Sequence, residues 1–410
     1  AFKGLLGKNG DDYFAFSKDA KLRKRLLKAV PWKENKQYAV FLNVIANAIA
    51  ESLHTRKPSF ASLTRKGEAG ELQWIDAYLW FLGAIADAHK ELIYLKDKGY
   101  TIYKRAEALG LITRFMKGLC VAGTHGKTTT SAMLSHILDQ SPWKCNAFLG
   151  GIASNTNSNL LLNEQSEWVV VEADEFDRSF LYLSPFASIV TAMDPDHLDV
   201  YGDASSFKDG FRQYAMKIDP NGVCVVKEGL SLPSLCPSVS YAVDSDTADY
   251  NGYNLSYIDG EMQFFVDTKT SRRVRFQLGL PGIHNVSNAL ACIALLDQLG
   301  LPMAEIQRGL ASFKGVKRRF DVQIKTSDLV YIDDYAHHPE ELKSLIDSLR
   351  MMYPEQKISA VFQPHLYTRT RDFGNAFSEQ LSRFDSLILL PIYPAREPEI
   401  IGVSSEWLLS

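Results

Sequence analysis

A glycine-rich segment with one lysine and adjacent threonines is the strongest chemical signal in this chain. Residues 123–130 read Gly-Thr-His-Gly-Lys-Thr-Thr-Thr and directly follow a short apolar run. Such a loop between a buried strand and a helix binds nucleotide phosphates, because glycines let backbone N–H groups approach the oxygens and the helix N-terminus favours an anion. We expect Lys127 to contact the β- and γ-phosphates and the Thr128 hydroxyl to ligate Mg²⁺. The residues assigned to nucleotide binding are Gly123, Thr124, His125, Gly126, Lys127, Thr128 and Thr129. The common form of this loop has glycine where Val121 stands, so a Gly-Lys-Thr turn without this function is the alternative.

Carboxylate side chains follow two further apolar runs. Residues 169–175 read Val-Val-Val-Glu-Ala-Asp-Glu, and residues 189–199 read Ile-Val-Thr-Ala-Met-Asp-Pro-Asp-His-Leu-Asp. Ligands of open α/β sheets bind beyond the carboxyl ends of the strands, and Mg²⁺ takes one or two carboxylates together with phosphate oxygens. We therefore predict one metal ion at the three carboxylates of residues 172–175 and the Thr128 hydroxyl, and a second metal ion with His197 as a ligand. The alternatives are an acidic loop and a histidine with a structural role.

Two polar motifs lie further along the chain. In Leu-Pro-Gly-Ile-His-Asn-Val-Ser-Asn at 280–288, Asn285 and Asn288 are three residues apart and share one side of a predicted helix. An amide both donates and accepts hydrogen bonds, so the pair suits an adenine edge, and helix capping by Asn285 is the alternative. An arginine of Lys-Arg-Arg-Phe-Asp at 317–321 suits a phosphate clamp between closing domains. A solvated linker is the alternative there.

Histidines and arginines cluster after two later apolar runs. Residues 333–339 read Asp-Asp-Tyr-Ala-His-His-Pro, and residues 362–371 read Phe-Gln-Pro-His-Leu-Tyr-Thr-Arg-Thr-Arg. Neighbouring strand ends face one cleft, so we expect the histidines, aspartates and arginines of these two segments to lie together. A reactive, anionic substrate would require such groups.

The composition is that of a soluble globular protein with two or three domains. The chain has 410 residues, of which 46% are hydrophobic and 23% charged, with a formal net charge of −3. This charge argues against general nucleic-acid binding, and the basic run at 21–28 suits a solvated helix face or a basic patch. Five scattered cysteines without a Cys-x-x-Cys pair predict buried thiols in a reducing cytoplasm. The apolar runs at 40–50 and 77–86 are shorter than the about 20 residues of a membrane span, so no membrane segment is expected. The sequence leaves the oligomeric state open.

From residue 117 onward, the pattern of apolar runs predicts an α/β fold. A mostly parallel sheet is expected from strands at 119–122, 168–171 and 188–193. Short alternating runs at 221–274 are typical of antiparallel hairpins, a helix is expected at 286–299, and a domain boundary at 315–319. Beyond it we predict strands 329–332, 358–363 and 386–391 and helices 339–352 and 373–384.

Taken together, these motifs resemble those of the Mur ligases, the ATP-dependent amino-acid-adding enzymes of peptidoglycan synthesis. The shared segments, in the family's order and spacing, are Gly-Thr-His-Gly-Lys-Thr-Thr-Thr, Glu-Ala-Asp-Glu, Asp-His-Leu-Asp, Gly-Ile-His-Asn-Val-Ser-Asn and Arg-Arg-Phe-Asp. The motifs at 333–339 and 362–371, with Tyr-Pro-Ala-Arg-Glu at 393–397, look like those of the member that adds L-alanine.

The resemblance implies a three-domain architecture. Rossmann-like N- and C-terminal domains would flank a central P-loop ATPase domain. On this chain they correspond to a UDP-sugar-binding-like domain at 1–117, an ATP-binding domain at 118–316 and an amino-acid-binding domain at 317–410. Residues 38–50, where the family has a glycine-rich fingerprint, contain no glycine, so the N-terminal domain is expected to be atypical. The C-terminal domain is expected to be incomplete, because the sequence stops short of the family's last elements.

The resemblance also implies a reaction. ATP phosphorylates the muramoyl carboxylate of UDP-N-acetylmuramate, and the amine of L-alanine attacks the acyl phosphate to give an amide, ADP and phosphate. The implied catalytic residues are Lys127, His197, Arg319 and His338. The implied ATP contacts outside the phosphate loop are Asn285, Asn288, Arg319 and Asp334, and the implied substrate contacts are His338, His365 and Arg369. The implied cofactors are ATP and Mg²⁺, with Thr128 and Glu172 as implied ligands of the first metal ion and His197 of the second.

Two other functions are compatible with the same motifs. One is the recycling ligase that attaches a tripeptide to the same sugar, although the Thr-Arg-Thr-Arg segment at 368–371 argues against it. The other is a non-catalytic descendant that binds ATP and has lost its UDP-sugar site, which the glycine-free segment at 38–50 favours.

Overall fold

The computed structural model describes Asp97 and residues 103–194, 201–258, 260–395 and 397–409. The segment at 38–50 and the predicted metal ligand His197 therefore lie outside the described residues. All five cysteines are free and buried, which confirms the predicted buried thiols. Within the described ranges, every helix is either too short or too polar to cross a membrane.

A ten-stranded sheet with helices on both faces forms the larger unit of the structure. Its strand order is β10-β9-β8-β7-β6-β5-β1-β4-β2-β3. The elements in chain order are α1 (Arg105–Phe115), β1 (Lys117–Ala122), α2 (Lys127–Gln140), β2 (Asn146–Ala153), β3 (Ser158–Leu161), β4 (Trp168–Ala173), a 3₁₀ segment (Phe176–Tyr182), β5 (Ala187–Val190), α3 (Ala204–Ala215), β6 (Cys224–Lys227), β7 (Ser238–Val243), β8 (Tyr250–Ile258), β9 (Glu261–Asp267), β10 (Val274–Leu278), α4 (Ile283–Gln298) and α5 (Met303–Ser312).

Strand β1 lies at the centre of the parallel part of the sheet, between β4 and β5. Leu119 and Val121 face the core formed with α2 and α4, whereas Cys120 and Ala122 face the core formed with α1 and α3. All four side chains are fully buried. A strand covered on both faces reads as a continuous apolar run, which is why the sequence located it correctly.

The antiparallel hairpins predicted at 221–274 are only partly present. Strand β9 pairs antiparallel with β8 and with β10, but β6 is parallel to β5 and β7, and β7 is parallel to β8. The prediction is therefore wrong for β6, and it did not include β7. Short runs separated by polar residues fit either direction, because the ten residues at 228–237 are long enough to carry the chain back for a parallel pair.

The C-terminal unit contains two small two-stranded sheets and three helices. Its elements are β11 (Asp321–Lys325), β12 (Val330–Asp333), α6 (Pro339–Met352), β13 (Ser359–Phe362), α7 (Tyr367–Asp372), α8 (Gly374–Leu381), β14 (Ser386–Leu389) and a 3₁₀ turn (Glu406–Leu409). Strands β11 and β12 are antiparallel, and β13 and β14 are parallel. Its core consists of Leu342, Phe362, Phe377, Leu381 and Leu408. The helix predicted at 339–352 is confirmed with the same bounds, because proline suits the first helical position.

Gly309 of α5 packs against α2, the helix that follows the phosphate loop. A Cβ atom at Gly309 would lie 2.8 Å from Ile137 Cα. Replacing glycine by alanine inside a helix usually stabilises it by about 1 kcal/mol, but here the methyl group must push two helices apart. We predict that Gly309→Ala lowers the free energy of unfolding in urea by about 1–3 kcal/mol. As a control, Ala311→Gly at an exposed position of the same helix costs at most about 1 kcal/mol. A stabilised Gly309→Ala variant would contradict this packing.

Candidate active site

The phosphate loop packs against the end of β5. Gly123 and Gly126 have φ of +131° and +82°, and a Cβ atom at Gly123 would collide with Thr191 Oγ1. The same hydroxyl lies 3.2 Å from the carbonyl oxygen of Ala122 and contacts that of His125. Thr191 thus holds both ends of the loop. Sequence reasoning did not single it out, because a threonine inside an apolar run also suits an ordinary strand.

Lys127 is held by a buried carboxylate beside the phosphate loop. Its Nζ donates three hydrogen bonds of 2.8 Å, one to the carbonyl oxygen of Gly123 and two to the carboxylate oxygens of Glu175. Glu175 is 1% exposed, and the Tyr201 hydroxyl donates to its backbone carbonyl at 2.6 Å. Burial raises the pKa of Glu175, and the charge of Lys127 opposes that rise. A phosphate group at the loop would compete with Glu175 for the ammonium group.

The two described metal-ligand candidates lie side by side. The hydroxyls of Thr128 and Ser131 donate to the carboxylate of Glu172 at 3.2 and 3.1 Å, and the backbone N–H of Gly150 donates to it at 2.6 Å. Adjacent ligands of an octahedral Mg²⁺ ion with bonds of 2.0–2.1 Å lie about 2.9 Å apart. The Thr128–Glu172 pair comes close to that spacing. One hydroxyl and one carboxylate therefore fit an Mg²⁺ ion that also takes phosphate and water oxygens.

A cleft of about 520 Å³ separates the large sheet from the C-terminal unit. This volume is in the range of small-molecule sites. Its lining includes seven residues predicted to bind ATP, namely His125, Gly126, Thr129, Asn285, Asn288, Arg319 and Asp334. Residues from both units of the structure therefore meet at one concave surface.

Asn285 and Asn288 are buried on the wall of this cleft, at 1% and 8% exposure. Asn285 Nδ2 donates to the carbonyl oxygen of Pro281 at 2.6 Å, and its Oδ1 accepts from Asn288 Nδ2 at 3.5 Å. The N-cap of α4 is Gly282, and no side chain caps this helix, so the capping role considered for Asn285 is not found. The asparagine pair is instead a small polar network beside the phosphate loop.

Arg319 reaches the cleft from a strained turn that Asp334 holds in place. Arg318 and Phe320 have φ of +63° and +50°, a left-handed conformation that is unfavourable for side chains with a Cβ atom. Asp334 accepts the N–H of Phe320 at 2.6 Å with one oxygen and the N–H of Ala336 at 2.7 Å with the other. Burial raises its pKa to about 6. Asp334 lines the cleft as predicted for an ATP ligand, but its oxygens already fix the turn that carries Arg319.

His338, the predicted substrate contact, caps helix α6 and is almost fully buried. It is the N-cap of α6, where its Nδ1 accepts the N–H of Glu340 at 3.4 Å. The imidazole is 6% exposed and packs against His125 and Phe373, with ring centroids 4.8 and 4.7 Å away. The neighbouring His337, which was not among the predicted site residues, is in ring contact with His365 at 5.9 Å.

His365 and Arg369 lie together, as expected from their motif. Arg369 Nη1 is 3.4 Å from His365 Nδ1, and the His365 ring stacks on Tyr393 with centroids 5.5 Å apart. Burial lowers the pKa of His365, and the charge of Arg369 contributes to that lowering. Glu397 accepts the N–H of Thr368 at 3.0 Å and so fixes the start of α7. This group lies outside the lining of the 520 Å³ cleft.

Glu341 of α6 joins the two groups of residues, and sequence reasoning missed it. One of its oxygens lies 3.4 Å from His125 Nδ1 of the phosphate loop and 4.0 Å from Arg319 Nη1. The other accepts the backbone N–H of His337 at 2.9 Å and lies 3.2 Å from its Nδ1. Burial alone would raise the pKa of Glu341, but the hydrogen bonds with the His125 side chain and with the backbone N–H of His337 hold it well below its usual range. In the sequence this residue is only an acidic side chain in the first turn of a helix.

His284 lines the cleft and has a pKa well below the usual value for histidine. Its Nδ1 lies 3.3 Å from the hydroxyl of Ser348, and its ring is 6.0 Å from that of Phe320. Burial lowers the pKa of His284 to about 4.

Two family models match this chain. They are described as the Mur ligase middle domain, at residues 121–296, and the Mur ligase glutamate ligase domain, at residues 318–406. The UDP-N-acetylmuramate–L-alanine ligase of Phocaeicola vulgatus is 49% identical over 325 residues, which are 79% of this chain and 71% of that protein.

Solved structures show the same relationship. The UDP-N-acetylmuramate–alanine ligase MurC of Thermotoga maritima is similar with a TM-score of 0.65 and 30% identity, covering 76% of this chain and 70% of that one. A murein peptide ligase of Psychrobacter arcticus, with a TM-score of 0.55 and 20% identity over 85% of this chain and 82% of that one, shares the fold.

The phosphate loop, the carboxylates beside it and the cleft between the two units fit a nucleotide-binding enzyme, and the named relatives are ATP-dependent ligases. This chain belongs to the Mur ligase family, and the resemblance of its motifs is thereby confirmed.

The low pKa of His284 makes the stability of the fold depend on pH. The unfolded histidine titrates near 6.5 and the folded one at about 4, so below pH 6.5 the unfolded chain binds a proton that the folded chain does not. His284 therefore reduces stability as the pH falls from 6.5 towards 4, by about 3 kcal/mol in total. We predict that His284→Gln loses less stability than the unmodified chain between pH 7.5 and 4.5, by up to that amount, in urea unfolding at both pH values. Equal losses would show that the pKa of His284 in the folded chain is not lowered in this way.

Proposed function

We propose that this chain uses ATP to ligate L-alanine to the muramoyl carboxylate of UDP-N-acetylmuramate, a step of peptidoglycan precursor synthesis. The observation that carries the proposal is the 49% identity, over 71% of its length, to a relative named for this reaction. The structure contains a phosphate loop, a nucleotide-sized cleft and a His365–Arg369 pair, and Glu341 links this pair to the loop through His337. The murein peptide ligase is only 20% identical, which favours L-alanine over a tripeptide as the acceptor.

The nucleotide would occupy the cleft with its phosphates at the loop. Lys127 would exchange its contact with Glu175 for the β- and γ-phosphates, and Glu175 would stay close enough to orient it. Asn285 and Asn288 would face the adenine, and Arg319 would contact the γ-phosphate. Arg319 is well suited to this, because its guanidinium can make two parallel bonds to a phosphate.

Thr128 and Glu172 would hold the Mg²⁺ ion, and His197 is proposed as a ligand of a second ion. When bound, Mg²⁺ neutralises charge that develops on the transferred phosphoryl group. The chain itself supplies the remaining charge stabilisation through Lys127 and Arg319. Catalysis of this kind depends mainly on positioning and on fixed charges, which the buried contacts of these side chains provide.

The acceptor would bind at His365 and Arg369. A carboxylate is a poor electrophile, so phosphorylation by ATP supplies a leaving group before the amine attacks. The buried Arg369 provides one cation for the carboxylate of L-alanine. A second carboxylate, as in D-glutamate, would be buried without a partner at a cost of several kcal/mol.

We propose the domain division 1–117, 118–316 and 317–410. The two family matches, at 121–296 and 318–406, fall inside the second and third of these ranges. The first range corresponds to the proposed UDP-sugar-binding domain.

The proposed function predicts a strict acceptor preference. With ATP, Mg²⁺ and UDP-N-acetylmuramate, ADP should be released with L-alanine and not with D-glutamate or a tripeptide. Lys127→Ala is the control and should lower the rate by about 100-fold or more, because Lys127 is the cation proposed to contact both the β- and the γ-phosphate. Preference for the tripeptide would assign the recycling reaction instead. Release of ADP with none of the acceptors, together with normal ATP binding, would support a non-catalytic ATP-binding protein.

A further inference from the structure

The imidazole of His337 is held in one orientation by two acceptors on the same nitrogen. Its Nδ1 lies 2.8 Å from the carbonyl oxygen of Tyr335 and 3.2 Å from a carboxylate oxygen of Glu341. Both neighbours accept hydrogen bonds, so the neutral ring carries its proton on Nδ1. The lone pair is then on Nε2. A carboxylate that fixes the tautomer of a histidine in this way is the arrangement that prepares the histidine to accept a proton.

The surroundings of His337 place it beside the proposed acceptor site. Its ring meets that of His365 edge to face at 5.9 Å, and the ring of Tyr335 is 4.9 Å away. The side chain is 25% exposed, so a ligand can reach it. The charged and titratable groups that act on it are Glu341 from α6, Arg319 from the strained turn, Arg369 from α7 and His365 from the segment before α7.

We propose that His337 is the general base that takes a proton from the ammonium group of the incoming amino acid, and that Glu341 is its positioning residue. The inference rests on the proposed ligation and adds a catalytic group to it. It is needed because an ammonium group has no lone pair and cannot attack the acyl phosphate. A base within reach must remove one proton first.

The proton and electron balance of the step is complete with groups already named. The ammonium group transfers one proton to His337 Nε2, and the free amine forms a C–N bond to the acyl carbon. The C–O bond to the phosphate breaks, and its electron pair leaves with the phosphate. A second N–H proton goes to the departing phosphate. The imidazolium then releases its proton to solvent, which restores the neutral base.

Burial keeps His337 in the form that a base requires. It lowers the pKa of His337, and the charges of Arg369 and Arg319 lower it further, whereas the charge of Glu341 raises it. The imidazole is therefore neutral at pH 7 and can accept a proton. Glu341 then stabilises the imidazolium that forms.

Glu341 also ties this base to the nucleotide site. The same carboxylate that contacts His337 reaches His125 of the phosphate loop with its other oxygen, at 3.4 Å. The base is thus fixed in place when α6 lies against the loop. The proposed base and the phosphate loop are therefore linked through a single side chain, that of Glu341.

A nucleophile that is uncharged at neutral pH can show whether His337 acts as a base or only supports the structure, because such a nucleophile needs no base. Hydroxylamine is largely uncharged at neutral pH, so it attacks an acyl phosphate without needing a base and yields a hydroxamate. We expect His337→Gln to lower kcat with L-alanine at pH 7 by about 100-fold or more, with hydroxamate formation from UDP-N-acetylmuramate and ATP nearly unchanged. The residual activity with L-alanine should rise about tenfold per pH unit, as the free amine becomes more abundant.

Glu341→Gln tests the positioning role through a pH profile. Loss of the negative charge destabilises the imidazolium, so the acidic limb of kcat with L-alanine should move to lower pH while the plateau falls. Glu340→Gln, which removes a carboxylate from the same helical turn, is the matched control and should leave the ratio of L-alanine to hydroxylamine activity unchanged. An unshifted acidic limb in Glu341→Gln would overturn the positioning role.

The result with His337→Gln separates this inference from the function on which it rests. An equal loss of activity with L-alanine and with hydroxylamine would overturn the assignment of His337 as a base and leave the ligation standing. Absence of hydroxamate with the unmodified chain would overturn the acyl phosphate itself, and with it both proposals.

Discussion

The backbone of Gly123 lies so close to the end of β5 that any side chain there would collide with Thr191, and this contact fixes the phosphate loop. Because β1, β4 and β5 run parallel and side by side, their carboxyl ends meet at one edge of the sheet. The loop, the carboxylates after β4 and the Thr191 hydroxyl are therefore brought together by topology rather than by proximity in sequence. The remaining groups of the site are arranged around this edge.

Buried and half-buried carboxylates hold most of the reactive side chains in place. Glu175 holds Lys127, Glu172 holds Thr128, Asp334 fixes the turn that carries Arg319, and Glu341 contacts both His125 and His337. Each carboxylate is available to anchor a cation, a hydroxyl or a backbone amide in a site of low dielectric, where such contacts are strong. The same few carboxylates therefore set the positions of the cation, the hydroxyl and the turn that surround the phosphate loop.

The sequence predicted the parts of this site that depend on local chemistry. The phosphate loop, the buried β1 strand and the bounds of α6 follow from glycine spacing, apolar runs and a proline at a helix start. The direction of β6 could not be predicted, because alternation of apolar residues does not determine which neighbour a strand pairs with. Which of the two adjacent histidines lies beside His365 could not be predicted, because it depends on the residue at which α6 begins. His338 is the N-cap of this helix and is buried, whereas the ring of His337 contacts that of His365. Glu341 was missed because its partners are far away in sequence.

The account depends most on the formation of an acyl phosphate from the muramoyl carboxylate. UDP-N-acetylmuramate labelled with ¹⁸O in that carboxylate tests it directly, in the presence of ATP, Mg²⁺ and L-alanine. We predict that the released inorganic phosphate, analysed by mass spectrometry, carries one ¹⁸O atom, because the carboxylate oxygen leaves with the phosphoryl group. Amide formation accompanied by phosphate that contains no ¹⁸O would contradict the account.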